Sequence, residues 1–362
     1  MKESNKKNIG PASSSTASSQ KNEPQGQPDA VFHSNQFTIS TLPMEHHARI
    51  EDILSATGRL SEALNIQLGK ASYAAHTSMT AFLYPKSGRY RIVLVNIFYD
   101  LLYYIDDLFG EDIEGSNISE QPNLQELMNI WLTGHINGDY YQNVRSPRIK
   151  SVCTAMQWVR TKLLQTCEPH FFKKLSKLLF EHLRDQLRPD GYTDIPSYIA
   201  LRRNFSGMYV AIHLTEYCYG CYLTPDISQK VPSLQVAIDK CADIGGLSND
   251  IFSYPKERHS KFNLVNSFLT LKKVKTLEEA IQASIDLVNG CHKAFDEAIA
   301  KALVEVQTLP DAERTKVLEF MEGLNSILSA SYHWQLVTQR YRHDDHILQD
   351  LKTNSQHQFD AA

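Results

Sequence analysis

Several things are scarce in this sequence, and each absence removes a class of protein. No apolar run in the 362 residues approaches the ~20 residues that cross a bilayer. The first residues lack the apolar core of a secretory signal. They carry acidic side chains and no early arginine, unlike a mitochondrial leader. A cytoplasmic protein with no integral membrane segment is therefore expected. There is no basic run: 37 Lys and Arg stand against 41 Asp and Glu, for a formal net charge of −4. Nucleic acid is not an expected partner. Six cysteines form no disulfide framework in a chain this long, and Cys218-x-x-Cys221 lacks the second Cys or His pair that zinc needs. The thiols read as ordinary reduced ones. No useful stretch alternates apolar and polar residues as a strand does, and no linker or repeat divides the middle of the chain.

Helix is what remains. Between Ile92 and Ile105 apolar residues recur at spacings of three and four over a run too long for one strand. Segments 151–186, 278–306 and 311–341 behave likewise, with breakers at Pro147, Pro189 and Gly191, Pro225, Pro232 and Pro310. Residues 1–36 are Ser, Gln, Asn, Lys, Gly and Pro with little to bury, and 352–362 are similar; both read as disordered tails. Residues 37–351 read as a single all-α domain, a bundle whose facing helices can enclose a cavity.

Four constellations carry chemistry. Asp106, Asp107, Glu111 and Asp112 follow the apolar run, with Asp107 and Glu111 sharing a helix face. Buried carboxylates need a partner or a cation, and such oxygens suit Mg²⁺ bridged to phosphate; a solvated acidic helix end is the plainer alternative. Asn249, Ser253 and Glu257 stand at i, i+4 and i+8, lining one face with an amide, a hydroxyl and a carboxylate. Pro255 should kink or stop that helix and makes Glu257 the least secure of the three. Arg202 and Arg203 precede Ser206-Gly207 within apolar helix; Arg forks onto phosphate, and Gly permits a break. Arg340-Tyr341 adds a second guanidinium with a hydroxyl. The next residues, His343-Asp344-Asp345-His346, read as a solvated helix end rather than a metal site. On a helix ending at Asp106, residues Tyr103, Leu102 and Tyr99 share its face, and Trp334 lies two turns before Tyr341. These four are the candidate cavity lining.

Together these motifs resemble the microbial class I terpene synthases. The family's DDxx(x)D/E pattern matches Asp106, Asp107 and Glu111. Its NDxxSxxKE pattern matches Asn249, Asp250, Ser253, Lys256 and Glu257. Its upstream Arg with a small residue and Gly matches Arg203, Ser206 and Gly207, at the expected 46-residue separation from Asn249. Its C-terminal RY pair matches Arg340 and Tyr341. The resemblance spans roughly residues 75–345. It implies the class I terpenoid synthase helical fold and three Mg²⁺ ions, two held through Asp106 and one through Asn249, Ser253 and Glu257. It further implies that Arg203, Lys256, Arg340 and Tyr341 grip an isoprenyl diphosphate, and that Ser206 and Gly207 form the helix break whose carbonyl helps trigger ionisation. The activity implied is a carbon–oxygen lyase that cyclises farnesyl diphosphate to a hydrocarbon or alcohol. The alternatives are a diterpene synthase acting on geranylgeranyl diphosphate, a prenyltransferase, and a silent helical binding protein. A homodimer is a family-level expectation.

Overall fold

The computed structural model describes residues 30–66, 78–109, 121–185 and 191–353. Among them every long element is a helix, and extended pairing is limited to one isolated bridge between Phe32 and Leu348. We label the helices α1 (Ile50–Ala63), α2 (Met79–Leu83), α3 (Arg89–Phe109), α4 (Gln121–Thr133), α5 (Gly138–Asn143), α6 (Pro147–Thr166), α7 (Pro169–Asp185), α8 (Ile195–Phe205), α9 (Met208–Tyr219), α10 (Pro225–Lys230), α11 (Pro232–Phe252), α12 (Tyr254–Glu257), α13 (Leu264–Thr270), α14 (Leu277–Glu305) and α15 (Asp311–Val337).

Local chemistry sets the ends. Pro232 opens α11 and Pro147 opens α6, where a missing N–H costs nothing; Ser146 caps α6 through the Ile149 N–H. Thr276 and Glu279 cap α14 reciprocally. The segment 151–186 divides at Cys167–Glu168, because Pro169 ends the donor ladder of α6 and starts α7.

The architecture turns on α11. Residues 241–248 of this helix are buried without exception, so it is surrounded rather than amphipathic. Its main neighbours are α14, α15, α8 and α9. Helix α3 packs on α1 and α6, and its later turns approach the same end of the bundle as the end of α11. From Val31 onward the described residues belong to one unit. The expected tail boundary at residue 36 is corrected: Phe32 and Ser34 are buried, because Phe32 pairs with Leu348 and Ser34 hydrogen-bonds Asp350 and Tyr332.

Candidate active site

Pro255 leaves a specific mark. Helix α11 ends at Phe252, and a single turn, α12, follows Ser253. The Ser253 N–H nevertheless donates to the Asn249 carbonyl at 2.8 Å, and the Glu257 N–H to the Ser253 carbonyl at 3.2 Å. The i, i+4 register of Asn249, Ser253 and Glu257 therefore survives the break. Glu257 is further fixed by Asn263, whose Nδ2 donates to its Oε2 at 3.1 Å and to the Asp250 carbonyl at 2.7 Å.

The Asn249 carboxamide is held at both ends. Its Nδ2 donates to the Tyr341 hydroxyl at 2.8 Å and to Gln335 Oε1 at 3.1 Å; its Oδ1 accepts from Arg202 Nη2 at 3.1 Å. Tyr341 belongs to a short turn, Gln339–Tyr341, that follows α15. Burial raises the pKa of its hydroxyl, opposed by Arg340. The Arg340 guanidinium lies 6.0 Å from the ring of Tyr103 on α3, and Trp334 meets Tyr341 edge-on at 6.1 Å. Residues from α3, α8, α11 and the end of α15 thus meet at one place.

The two adjacent arginines separate. Arg202 is buried and sits 2.8 Å from Asp250 Oδ1, while the Tyr198 hydroxyl donates to Asp250 Oδ2 at 2.6 Å. Burial pushes the Asp250 carboxyl up, and Arg202 pulls it back. Arg203 points to another part of α11, forking onto Asp243 through Nε at 2.6 Å and Nη2 at 3.1 Å. Immediately after, α8 stops. Ser206 is its cap and Gly207 takes φ 70°, a left-handed conformation that favours glycine, before α9 begins. The break lies tight on α11: a side chain at Gly246 would meet Ser206 Cβ at 3.2 Å.

The remaining candidates are distributed as follows. Asp106 and Asp107 occupy the last turn of α3, whereas Glu111 and Asp112 lie outside the described residues. Lys256 is exposed on α12. Tyr99 is buried and its hydroxyl meets that of Tyr84 at 3.1 Å; Leu102 and Tyr103 are half-buried; the Trp334 indole N–H donates to Ser78 Oγ at 3.0 Å. Cys218 and Cys221 are buried thiols, and among the described residues no three His, Cys, Asp or Glu side chains gather as a metal group.

Sequence reading missed Asp243, Tyr198, Gln335 and Asn263. One signal was available: Tyr198 and Arg202 stand at i, i+4 and present one polar face of α8. The donor set fits a hard divalent cation. Asn249, Ser253 and Glu257 offer only oxygen, on one unbroken register, with the amide nitrogen of Asn249 turned away toward Tyr341 and Gln335.

Comparison with known proteins agrees. The family model described as "Terpene synthase family 2, C-terminal metal binding" matches residues 98–294. Sesquiterpene synthase Agr1 of Cyclocybe aegerita is 24% identical over 327 residues, 87% of each chain. Alpha-muurolene synthase of Coprinopsis cinerea is 24% identical over 88% of this chain and 74% of its own. Among solved structures, wild-type cucumene synthase superposes with TM-score 0.68 at 16% identity, covering 82% of this chain and 98% of that one. Germacradien-4-ol synthase from Streptomyces citricolor gives 0.67 at 16%, covering 80% and 95%. The fold is that of the helical terpenoid synthases. The chain belongs to the class I terpene synthase family. It is a lyase that uses a divalent metal cofactor and an isoprenyl diphosphate substrate, and no described helix is long and apolar enough to cross a membrane.

Proposed function

We propose that this enzyme is a sesquiterpene synthase that binds farnesyl diphosphate with three Mg²⁺ ions, expels the diphosphate and cyclises the farnesyl cation to a hydrocarbon or alcohol. The observation that carries the reading is the convergence of Asn249, Tyr341, Arg340 and Tyr103 from three separate parts of the chain onto one point. The names of the curated fungal relatives support the substrate length.

Asp106, with Asp107 and Glu111, would hold two ions, and Asn249, Ser253 and Glu257 the third. When bound, the metal neutralises the charge that grows on the leaving diphosphate. The chain supplies the rest. Arg203, on leaving its fork with Asp243, would hold the diphosphate oxygens with Lys256, Arg340 and Tyr341; Arg does so as a planar fork, Tyr as a single donor. The carbonyl at the Ser206–Gly207 break would help trigger ionisation. Tyr99, Leu102, Tyr103 and Trp334 line the cavity, keep the prenyl chain folded, exclude water and offer ring faces to the cation. The protein works in the cytoplasm, with a homodimer as its assembly.

The test is incubation with Mg²⁺ and, separately, geranyl, farnesyl and geranylgeranyl diphosphate, read by gas chromatography. A cyclic product from farnesyl diphosphate, abolished by EDTA, is expected. Product from geranylgeranyl diphosphate alone would make the enzyme a diterpene synthase. Product only with an added acceptor would make it a prenyltransferase, and silence with all three a binding protein.

A further inference from the structure

The run His343-Asp344-Asp345-His346 is solvated as expected through Asp345, but it is not helical and its last residue is buried. His343 and Asp345 pair with each other at the surface, and Asp345 also pairs with Arg258, next to α12. His346 is only 1% exposed. Its Nε2–H donates to the Phe252 carbonyl at 3.0 Å, and its Nδ1 accepts the Leu348 N–H at 2.9 Å. An Nδ1 that accepts holds no proton, so this pair of bonds fixes the neutral Nε2–H tautomer.

The acceptor is a meaningful one. Phe252 is the last residue of α11, and carbonyls at a helix C-terminus lack intrahelical donors. The Lys256 N–H, which would continue an α-helix onto Phe252, donates instead to the Ser253 carbonyl at 2.9 Å. The imidazole supplies the missing donor. The segment after α15 therefore touches the last turn of α11 twice, just before Ser253: Tyr341 meets Asn249, and His346 meets Phe252 at the end of the helix.

We propose that His346 is a positioning residue for diphosphate binding, capping the α11 terminus from the strap that carries Arg340 and Tyr341 and so fixing the spacing between the diphosphate grip and the Asn249-Ser253-Glu257 ligands. The inference rests on the roles assigned to those residues above. Asp345 ties the strap to Arg258 at the surface, and Leu348 and Asp350 tie its far end to Phe32 and Ser34; the imidazole is the buried pin that joins it to α11 itself, and pre-organisation of this kind is expressed as affinity.

Two substitutions divide the imidazole. In His346→Gln the longer side chain brings an N–H to the Nε2 position and keeps the cap on Phe252. In His346→Asn the side chain stops at the Nδ1 position and leaves the Phe252 carbonyl without its donor. Affinity for inorganic diphosphate in the presence of Mg²⁺ is measured by calorimetry, at a temperature where each variant retains wild-type circular dichroism. The Asn variant is expected to bind about tenfold more weakly, equivalent to about 1.4 kcal/mol, with KM for substrate raised more than kcat is lowered. The Gln variant is expected to recover most of the affinity. Equal affinity in wild type and Asn variant, or a Gln variant as weak as the Asn one, overturns the proposal. A wild type that binds no diphosphate with Mg²⁺ overturns the functional reading itself, and this proposal with it.

Discussion

Two neighbouring arginines in one helical turn carry different burdens. Arg202 is 8% exposed and neutralises the buried Asp250, which also accepts from Tyr198 and from the Leu264 N–H. Removing one partner of such a pair strands the other charge and costs about 3–5 kcal/mol. Arg203 is more accessible, and its partner Asp243 is also served by Lys240 at 2.9 Å. We expect Arg202→Ala to lower stability by that amount in denaturant unfolding. Arg203→Ala should cost less stability and weaken Mg²⁺–diphosphate binding by about tenfold or more, one charge-assisted fork being worth roughly 1.5–3 kcal/mol. Arg203→Lys should restore little, since the fork is lost. The reverse assignment, with Arg202 carrying affinity and Arg203 carrying stability, would transfer the phosphate role to Arg202. Sequence spacing selected Arg203 through its 46-residue distance from Asn249. It was silent on the partner of either arginine, because pairing between helices depends on how α8 lies across α11 and no local period encodes that.

The interface between α1 and α3 shows how an element can be tuned from behind. Thr57 and Ser61 on α1 face Asn96 and Asp100 on α3, each pair i, i+4 along its helix, with bonds of 3.0 and 2.7 Å. The two helices therefore run parallel there. Ser61 serves Asp100 Oδ2, while Oδ1 is buried and has no hydrogen-bond partner among the described residues. Burial raises the Asp100 pKa from 3.8 to about 7, with Ser61 opposing. Between those values the folded state keeps a proton that the unfolded chain has released. Stability is thus full below the lower value and falls as pH rises toward the upper one. Asp100→Asn removes the ionisation while keeping an acceptor for Ser61. Thermal melts across pH 5–8 should show a flatter profile for the variant, with a gain of about 1–3 kcal/mol at the alkaline end. An unchanged slope would mean that other groups set it. Helix α3 was legible as a helix from the spacing of its apolar residues. Its polar back was not, since Asn96 and Asp100 interrupt the stripe without indicating that α1 supplies hydroxyls to meet them. The same limit applies to α12, where Pro255 announces a break and the register that survives it depends on the backbone bonds of Ser253 and Glu257.

At the scale of the whole molecule, the early segment Phe32–Thr41 stitches the long helices together. Phe37 is fully buried, stacked on Phe252 with ring centres 5.7 Å apart and tilted against Tyr332 of α15. The next residue, Thr38, bonds Asn289 and His292 of α14 at 2.8 Å each. Truncating such a ring costs about 3–5 kcal/mol. Phe37→Ala should therefore lower the melting temperature markedly; a melt within a degree of wild type would show that this segment rests on the bundle without supporting it. The composition of residues 1–36 hid the docking of Phe32 and Ser34, because a single phenylalanine in a polar stretch is too little to register as a pattern.

That docking also orders events in time. Ser34 bonds Asp350 across 316 residues, and Phe32 pairs with Leu348. An earlier portion of the chain is thus closed by a much later one, among the longest-range contacts of the described residues, and such closures form late. Until then Phe32 lacks its strand-like neighbour, and the terminus of α11 lacks the imidazole that caps it. A chain ending at Tyr341 would carry every candidate ligand for metal and diphosphate and would still be an unfinished protein, with an open seam for a protease to enter.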